Sequence, residues 1–171
     1  MTTDHAQIAA AQLDDGTPAS ELIARYRTGA TLLQGAIAGL TREQLLAYPF
    51  PGKMSAQEVV CHVADCDQFL ADRMKRTIAM DRPLLVGADG WLYPEALHYA
   101  ERDVALDVAL VDATRAQLAA DLARLAPQTW ERTAIHTETG LVTLRQLLLH
   151  TVRHLEHHVQ TIEEKRAALG A

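Results

Sequence analysis

The chain alternates between segments in which apolar residues recur every three or four positions and shorter segments rich in proline, glycine and charge. Apolar residues at that spacing line one face of an α-helix, so each such segment predicts a helix with a buried face. The long predicted helices cover residues 18–38, 55–80, 95–125 and 143–168. Long amphipathic helices of this kind predict an all-α fold, a four-helix bundle whose buried faces form a common core.

Capping boxes predict where several helices begin. In a capping box, a Ser or Thr side chain and a Glu or Gln three residues later satisfy each other's backbone N–H groups. The chain carries this pattern at residues 41–44, 55–58 and 143–146. Thr17 followed by Pro18 predicts another helix start, because proline is favoured at the first helical position.

The remaining segments connect or extend the bundle. Residues 4–14 are rich in alanine and predict a short helix within an N-terminal extension, residues 1–16. Residues 81–94 form a long connection between the second and third helices, which is either a crossover or a loop with a functional role. Residues 130–142 alternate loosely and predict a short extended excursion, and Asp103 predicts a cap or a kink in the third helix. The 171 residues are expected to form a single domain.

Composition excludes several classes of protein. The formal net charge is −6 and no basic cluster is present, which argues against a nucleic-acid surface. The sequence has no apolar run long enough for a membrane span and no secretory signal pattern, so a cytoplasmic location is expected. Cys61 and Cys66 lie about 140° apart around one predicted helix, so they do not form a disulfide with each other.

The last predicted helix carries half of the histidines in the protein, at positions 150, 154, 157 and 158. At about 100° per residue, His154 and His158 fall within the stripe of apolar residues, whereas His150 and His157 fall at its margin. His62, at the edge of the buried stripe of the second helix, is a further inward-facing candidate. His5, His98 and His136 are interpreted as surface or loop residues.

Two imidazoles on a buried helix face need partners for their nitrogens. A pair of this kind is by itself more often structural, but two ligands one helical turn apart are also the usual way in which a helix binds a metal ion. Together with His62, the pair His154 and His158 would supply three imidazoles and leave an open coordination position, as in catalytic zinc sites. Nickel, cobalt, manganese or iron could occupy the same set of ligands.

Arg115 falls within the buried stripe of the third helix, so a cation points inward. Buried arginines need an anionic partner. This partner is either an internal carboxylate or a substrate group, and the sequence leaves both alternatives open.

Two motifs give the chain a resemblance to a known family. Residues 54–62, Met-Ser-Ala-Gln-Glu-Val-Val-Cys-His, and residues 154–162, His-Leu-Glu-His-His-Val-Gln-Thr-Ile, resemble those of the DinB/YfiT-like superfamily of four-helix-bundle metalloproteins. The resemblance covers residues 22–162. It implies that His62, His154 and His158 bind a divalent metal, as the matching histidines do in that family. Met54 stands where the family often has tryptophan.

The resemblance implies a metal-dependent enzyme that acts on a small molecule. The leading hypothesis is a transferase in which the ion holds a low-molecular-weight thiol as the thiolate, with Arg115 as the anchor for a carboxylate of that thiol. The second hypothesis is a hydrolase in which the metal activates water, with Asp65 or Glu156 as the nearest candidates for a base.

A third hypothesis is non-enzymatic: a binding or stress-response module in which the metal only stabilises the fold. The resemblance also implies a homodimer. Leu149 and Val152, on the side of the last helix that the spacing places away from the core, are the candidate contacts with a second subunit.

Overall fold

The computed structural model describes residues 15–171, and it shows a helical bundle with a small sheet at one end. The predicted helix at residues 4–14 and His5 lie outside the described residues. The α-helices are α1 Ala19–Ile37, α2 Arg42–Leu46, α3 Ala56–Ala79, α4 Tyr93–Ala96, α5 Val104–Leu122 and α6 Leu144–Ala168. The strands are β1 Leu84–Leu85, β2 Thr133–His136 and β3 Gly140–Thr143, and 3-10 turns lie at Gly90–Leu92, Tyr99–Glu101 and Pro127–Glu131.

Helices α1, α3, α5 and α6 form the four-helix bundle that the sequence predicts. Both α1 and α3 pack against α5 and against α6, so α1 lies diagonally opposite α3. The buried residues form two core clusters stacked along the bundle, and α3 and α5 both run from the second cluster to the first. These two neighbours are therefore parallel, and the connection between them must return along the whole bundle. The predicted crossover between the second and third long helices is confirmed.

All three predicted capping boxes are present. Thr41, Ser55 and Thr143 each accept a hydrogen bond from the backbone N–H three residues later, and the side chain at that position accepts from the cap N–H. The predicted cap at Thr17 is not observed. Pro18 itself is the N-cap of α1, without a side-chain hydrogen bond.

The predicted helix at residues 95–125 is shorter than expected at both ends. Helix α5 begins only at Val104, where Asp103 caps it by accepting a hydrogen bond from the N–H of Ala105 at 2.9 Å. Before it, the chain forms only the one-turn helix α4 and a 3-10 turn, because His98 takes a left-handed conformation with φ of 50°. Asp103 is thus the cap rather than a kink.

A three-stranded sheet closes the end of the bundle at which α6 begins. Strand β1, within the crossover, pairs in parallel with β2, and β2 forms an antiparallel hairpin with β3. The predicted extended excursion at 130–142 corresponds to this hairpin, and β1 adds to it a strand that the sequence pattern does not predict. Thr143 ends β3 and caps α6, so the sheet leads directly into the histidine-bearing helix.

None of the helices among residues 15–171 combines the length and the apolar character that a membrane span requires.

Candidate metal centre

Helix α6 presents two imidazoles on its buried face. His154 and His158 lie one turn apart, and their Nε2 atoms are 3.2 Å from each other. His154 is 4% exposed, and Leu155 and Ile162 beside it are fully buried. The buried surface of α6 therefore includes the face that the apolar spacing predicts.

Helix α3 brings a third imidazole to the same point. The ring centroid of His62 lies 5.3 Å from that of His154 and 4.8 Å from that of His158. One nitrogen from each of the three rings lies within 4.8 Å of the other two nitrogens. The structure thus brings together all three histidines that the sequence and the resemblance single out, from two helices that pack against each other.

The spacing and protonation of His154 and His158 fit two ligands of a divalent transition metal. Two nitrogens at about 2.1 Å from one ion are about 3.0 to 3.4 Å apart for octahedral to tetrahedral angles. The Nε2 atoms of His154 and His158 lie within that range, and their Nδ1 atoms are buried without a hydrogen-bond partner among the described residues. Burial, and then the neighbouring imidazoles, lowers the pKa of both rings well below the ordinary value, so both are neutral, as a metal ligand must be.

The crossover lies directly against the imidazole of His62. Gly90 is buried, and a Cβ atom at this position would lie 2.9 Å from the Cε1 atom of His62. The Sγ atom of Cys66 lies 3.5 Å from the Nε2 atom of His62 and 3.7 Å from its Nδ1 atom. The helical spacing places Cys66 on the flank of His62, but no pattern in the sequence indicates that Gly90 covers this ring.

Further polar residues extend the site along α3 and α6 toward the sheet. His150 is partly buried, and its ring centroid lies 6.0 Å from that of His154. Burial, followed by the charge of Arg73 and the nearby His136, lowers the pKa of His150 to about 4. His136 is 4% exposed and its Nδ1 atom accepts a hydrogen bond from the N–H of Glu138 at 3.2 Å. The expectation that His136 lies on the surface is therefore wrong, because β2 turns this side chain inward.

The other histidines lie outside the centre. His98 is exposed, as predicted, and His157 is exposed beside His158, with ring centroids 5.4 Å apart.

The two carboxylates considered as a catalytic base are held by other residues. Asp65 accepts hydrogen bonds from the Tyr99 hydroxyl at 2.6 Å and from Arg102 at 2.9 Å. Glu156 forms a bidentate pair with Arg25, with nitrogen–oxygen distances of 2.6 and 2.9 Å. Neither carboxylate belongs to the group formed by the three imidazoles.

Arg115 is fully buried in an internal ion pair. Its guanidinium binds the Asp67 carboxylate through two nitrogens, and it also donates to the carbonyl oxygens of Tyr26 at 3.1 Å and Thr151 at 3.3 Å. Of the two alternatives that the sequence leaves open, the internal carboxylate is the observed partner. The hypothesis that Arg115 anchors a substrate carboxylate is accordingly replaced, because protein groups surround this side chain completely.

Leu149 and Val152 are also placed differently from the expectation. Their side chains are 0% and 1% exposed and belong to the core cluster nearest the sheet. They pack within the protomer, so they are not available for contacts with a second subunit.

Comparisons with known proteins agree with this fold. Two bacterial relatives carry the name "Putative metal-dependent hydrolase". One, from Oceanobacillus iheyensis, is 25% identical over 77% of this chain and 76% of its own length. The other, from Bacillus licheniformis, is 29% identical over 81% of this chain and 80% of its own length. The structure of YfiT from Bacillus subtilis superposes on this chain with a TM-score of 0.85 at 23% identity, and the match covers 92% of this chain and 90% of YfiT. YfiT is described as a probable metal-dependent hydrolase with an unusual four-helix bundle topology.

A family model also matches most of the chain. The model of the DinB superfamily aligns with residues 25–162, a span that contains the three imidazoles and runs from the second turn of α1 to Ile162 in α6. The chain belongs to the DinB superfamily.

Proposed function

We propose that this protein is a metal-dependent enzyme in which His62, His154 and His158 hold one divalent cation. The observation that carries the proposal is the convergence of three imidazoles from two helices, with His62 and His154 buried, His158 partly buried, and the two rings on α6 neutral. Three nitrogen ligands leave a coordination position for a small molecule. The two relatives that are named as metal-dependent support the same interpretation.

The favoured reaction is transfer of a low-molecular-weight thiol to an electrophile. A bound divalent metal would hold a coordinating thiol as the thiolate, which supplies a nucleophile without a general base. The chain's own residues suit such a reaction, since Asp65 and Glu156 are occupied by Tyr99, Arg102 and Arg25. The crossover, with Gly90 against the ring of His62, limits access of water from that side.

Hydrolysis is the second candidate, and the names of the relatives favour it. A metal lowers the pKa of a water molecule enough to make it a nucleophile at neutral pH. Charge that develops on the reacting atoms would then be stabilised by the bound cation.

Metal binding is tested by elemental analysis of protein that is stripped with chelator and reloaded with zinc, nickel or cobalt. We expect one ion per chain, and replacement of any of the three histidines by alanine to weaken binding by more than about 100-fold, since changes to residues beyond the ligands already cost about 10- to 100-fold. His157→Ala is the matched control, because this imidazole lies on the same helix but is exposed. Undiminished metal content in all three variants would contradict the proposal.

The reaction is tested by offering the metal-loaded protein a panel of thiols with a chromogenic electrophile, and separately activated esters without thiol. We expect metal-dependent consumption of at least one thiol, which disappears in His154→Ala. Turnover of esters alone would instead establish the hydrolase.

A further inference from the structure

We propose that residues 88–97 of the crossover form a lid over the metal centre, which opens when the ion or its ligands enter and leave. Gly90 in this segment lies so close to the imidazole of His62 that a Cβ atom would be 2.9 Å from the Cε1 atom of the ring. No molecule reaches the ring from this side unless the segment moves. The movement can be measured without a metal, whereas the role of the lid at the metal rests on the proposed function.

The lid is hydrogen-bonded to itself rather than to the bundle. Within residues 15–171, each hydrogen bond of residues 88–97 stays between residues 89 and 98. The N–H groups of Trp91 and Leu92 donate to Asp89, and the N–H group of Leu97 donates to the carbonyl oxygen of Tyr93 at 2.8 Å. In the same part of the chain, no side chain of the lid forms an ion pair with a helix. Opening the lid therefore breaks no hydrogen bond to the bundle.

The chain is fixed on both sides of the lid. Before the lid, the N–H group of Gly87 donates to the hydroxyl of Thr137 at 2.9 Å. After the lid, Tyr99 is fully buried and its hydroxyl donates to Asp65 at 2.6 Å. His98 joins the lid to this second attachment in a left-handed conformation, with φ of 50°, which is strained for a residue other than glycine. The segment between the two attachments can move as one unit, with His98 as a hinge.

The lid packs loosely against α3. Gly90 is the single buried residue among residues 88–97, and Trp91, Leu92 and Leu97 are 51%, 67% and 49% exposed. A groove of about 570 Å³ lies between the helix and the lid. It is lined by Asp65, Gln68 and Phe69 of α3 and by Leu92, Tyr93 and Leu97 of the lid. Segments with few buried apolar contacts open locally at a small part of the free energy that global unfolding requires.

The two cysteines can report whether the lid opens. The Sγ atom of Cys66 lies 3.5 Å from the Nε2 atom of His62 and 3.8 Å from the position of a Cβ atom at Gly90, so this thiol lies beneath the lid. Cys66 is 3% exposed. Cys61 on the same helix is fully buried outside the lid, where its thiol donates to Asp107 at 3.2 Å. A thiol reagent should therefore reach Cys66 when the lid opens, but Cys61 only on global unfolding.

The test measures how fast iodoacetamide modifies each cysteine of the folded full-length protein, with tandem mass spectrometry to distinguish the two sites. We expect Cys66 to react at least about 100-fold faster than Cys61. Tyr93→Ala removes a partly buried side chain from the groove, so it should speed the modification of Cys66 by about 5-fold or more and leave that of Cys61 unchanged. Leu84→Ala is the matched control, because it removes a side chain that is 60% exposed and precedes the lid. It should change neither rate.

The role at the metal is tested with the metal-loaded protein. Chelator should remove the ion from Tyr93→Ala about 5-fold or more faster than from the original protein, because release passes through the open lid. Leu84→Ala should release the ion at the original rate.

Equal rates for Cys66 and Cys61 would overturn the lid, since both thiols would then be exposed only by global unfolding. An unchanged rate for Cys66 in Tyr93→Ala would overturn it as well. Faster modification of Cys66 with unchanged release of the ion would overturn the role at the metal. If the protein binds no metal, the proposed function fails and this role fails with it, while the rates of the two cysteines still decide whether the lid opens.

Discussion

At the scale of single residues, Arg115 joins all four long helices. It extends from α5, pairs with Asp67 on α3, and donates to carbonyl oxygens of Tyr26 on α1 and Thr151 on α6. The ion pair lies between the two core clusters. Gly29 on α1 provides the space, because a Cβ atom there would lie 3.1 Å from the Cζ atom of Arg115.

Removing one member of this pair should destabilise the bundle far more than removing both. Arg115→Met leaves the Asp67 charge buried without its partner, and we expect a loss of about 3 to 5 kcal/mol in the free energy of unfolding. In the double variant Asp67→Leu, Arg115→Met, apolar side chains of similar size should restore most of that loss. Urea denaturation measures both values. Equal losses in the single and double variants would show that the charge of Asp67 is not what destabilises the single variant.

The sequence predicts single residues well where one helix decides their environment. The inward direction of His154, His158 and Arg115 follows from spacing along one helix. The burial of His154 and Arg115 confirms it, and the partly buried His158 lies against the ring of His62. The partner of Arg115 could not be predicted in the same way, because Asp67 comes from another helix and its distance depends on how the helices pack. For the same reason, the sequence does not predict that β2 buries His136.

At the scale of elements, the crossover is fastened to the bundle at both ends. At its start, β1 pairs with β2 and Val86 accepts a hydrogen bond from Arg73. At its end, Arg102 binds both Asp65 on α3 and Asp107 on α5, and the Tyr99 hydroxyl donates to Asp65. Between these attachments the chain passes the imidazole of His62, so the crossover forms one wall of the site.

Gly90→Ala should therefore impair the metal centre more than the fold. The added Cβ atom would lie 2.9 Å from the ring of His62, so either this ring or the crossover must move. We expect metal affinity to fall by about 10-fold, as for other changes adjacent to a ligand. Chelator competition measures it.

Gly35→Ala is the control for this change, since a Cβ atom at that helical position meets no atom within 4 Å. It should leave metal affinity unchanged and stabilise the protein by about 0.5 to 1 kcal/mol. An unaltered affinity in Gly90→Ala would show that the crossover does not constrain the imidazole.

Among the elements, the helices with a capping box are predicted nearly to the residue, whereas the crossover is not. Thr41, Ser55 and Thr143 satisfy backbone groups within their own turn, so their effect is local and visible in the sequence. Strand β1 has only two residues and exists because β2 lies beside it. The left-handed turn at His98 likewise has no local signal, and it divides what the apolar pattern presents as one helix.

At the scale of the whole molecule, we expect the core to form without a metal. The two clusters contain apolar residues from all four long helices. A domain of this size can fold on its apolar core alone. We therefore expect the metal-free protein to be folded and to unfold cooperatively.

Metal should nevertheless raise the thermal stability, because it binds only the folded arrangement of imidazoles. At a free metal concentration 100 times the dissociation constant, binding adds about 2.7 kcal/mol. For a domain of this size, this raises Tm by about 5 to 10 °C. Calorimetry with and without metal measures the shift, and His154→Ala should show none. If the protein unfolds when a chelator removes the metal, the result would instead support the third hypothesis, a non-enzymatic binding module in which the metal only stabilises the fold.

The homodimer that the resemblance implies stays a prediction. With Leu149 and Val152 in the core, any contact between subunits must use other residues.

The long separation of the ligands along the chain has a consequence for biosynthesis. His62 leaves the ribosome early, but its two partners are in the final helix, after α5 and the sheet have been made. A nascent chain therefore cannot assemble the site before α6 has been synthesised, and the ion must be acquired after that point, from whatever cellular pool then offers it. The metal found in the purified protein would record the supply at that moment as well as the preference of three imidazoles.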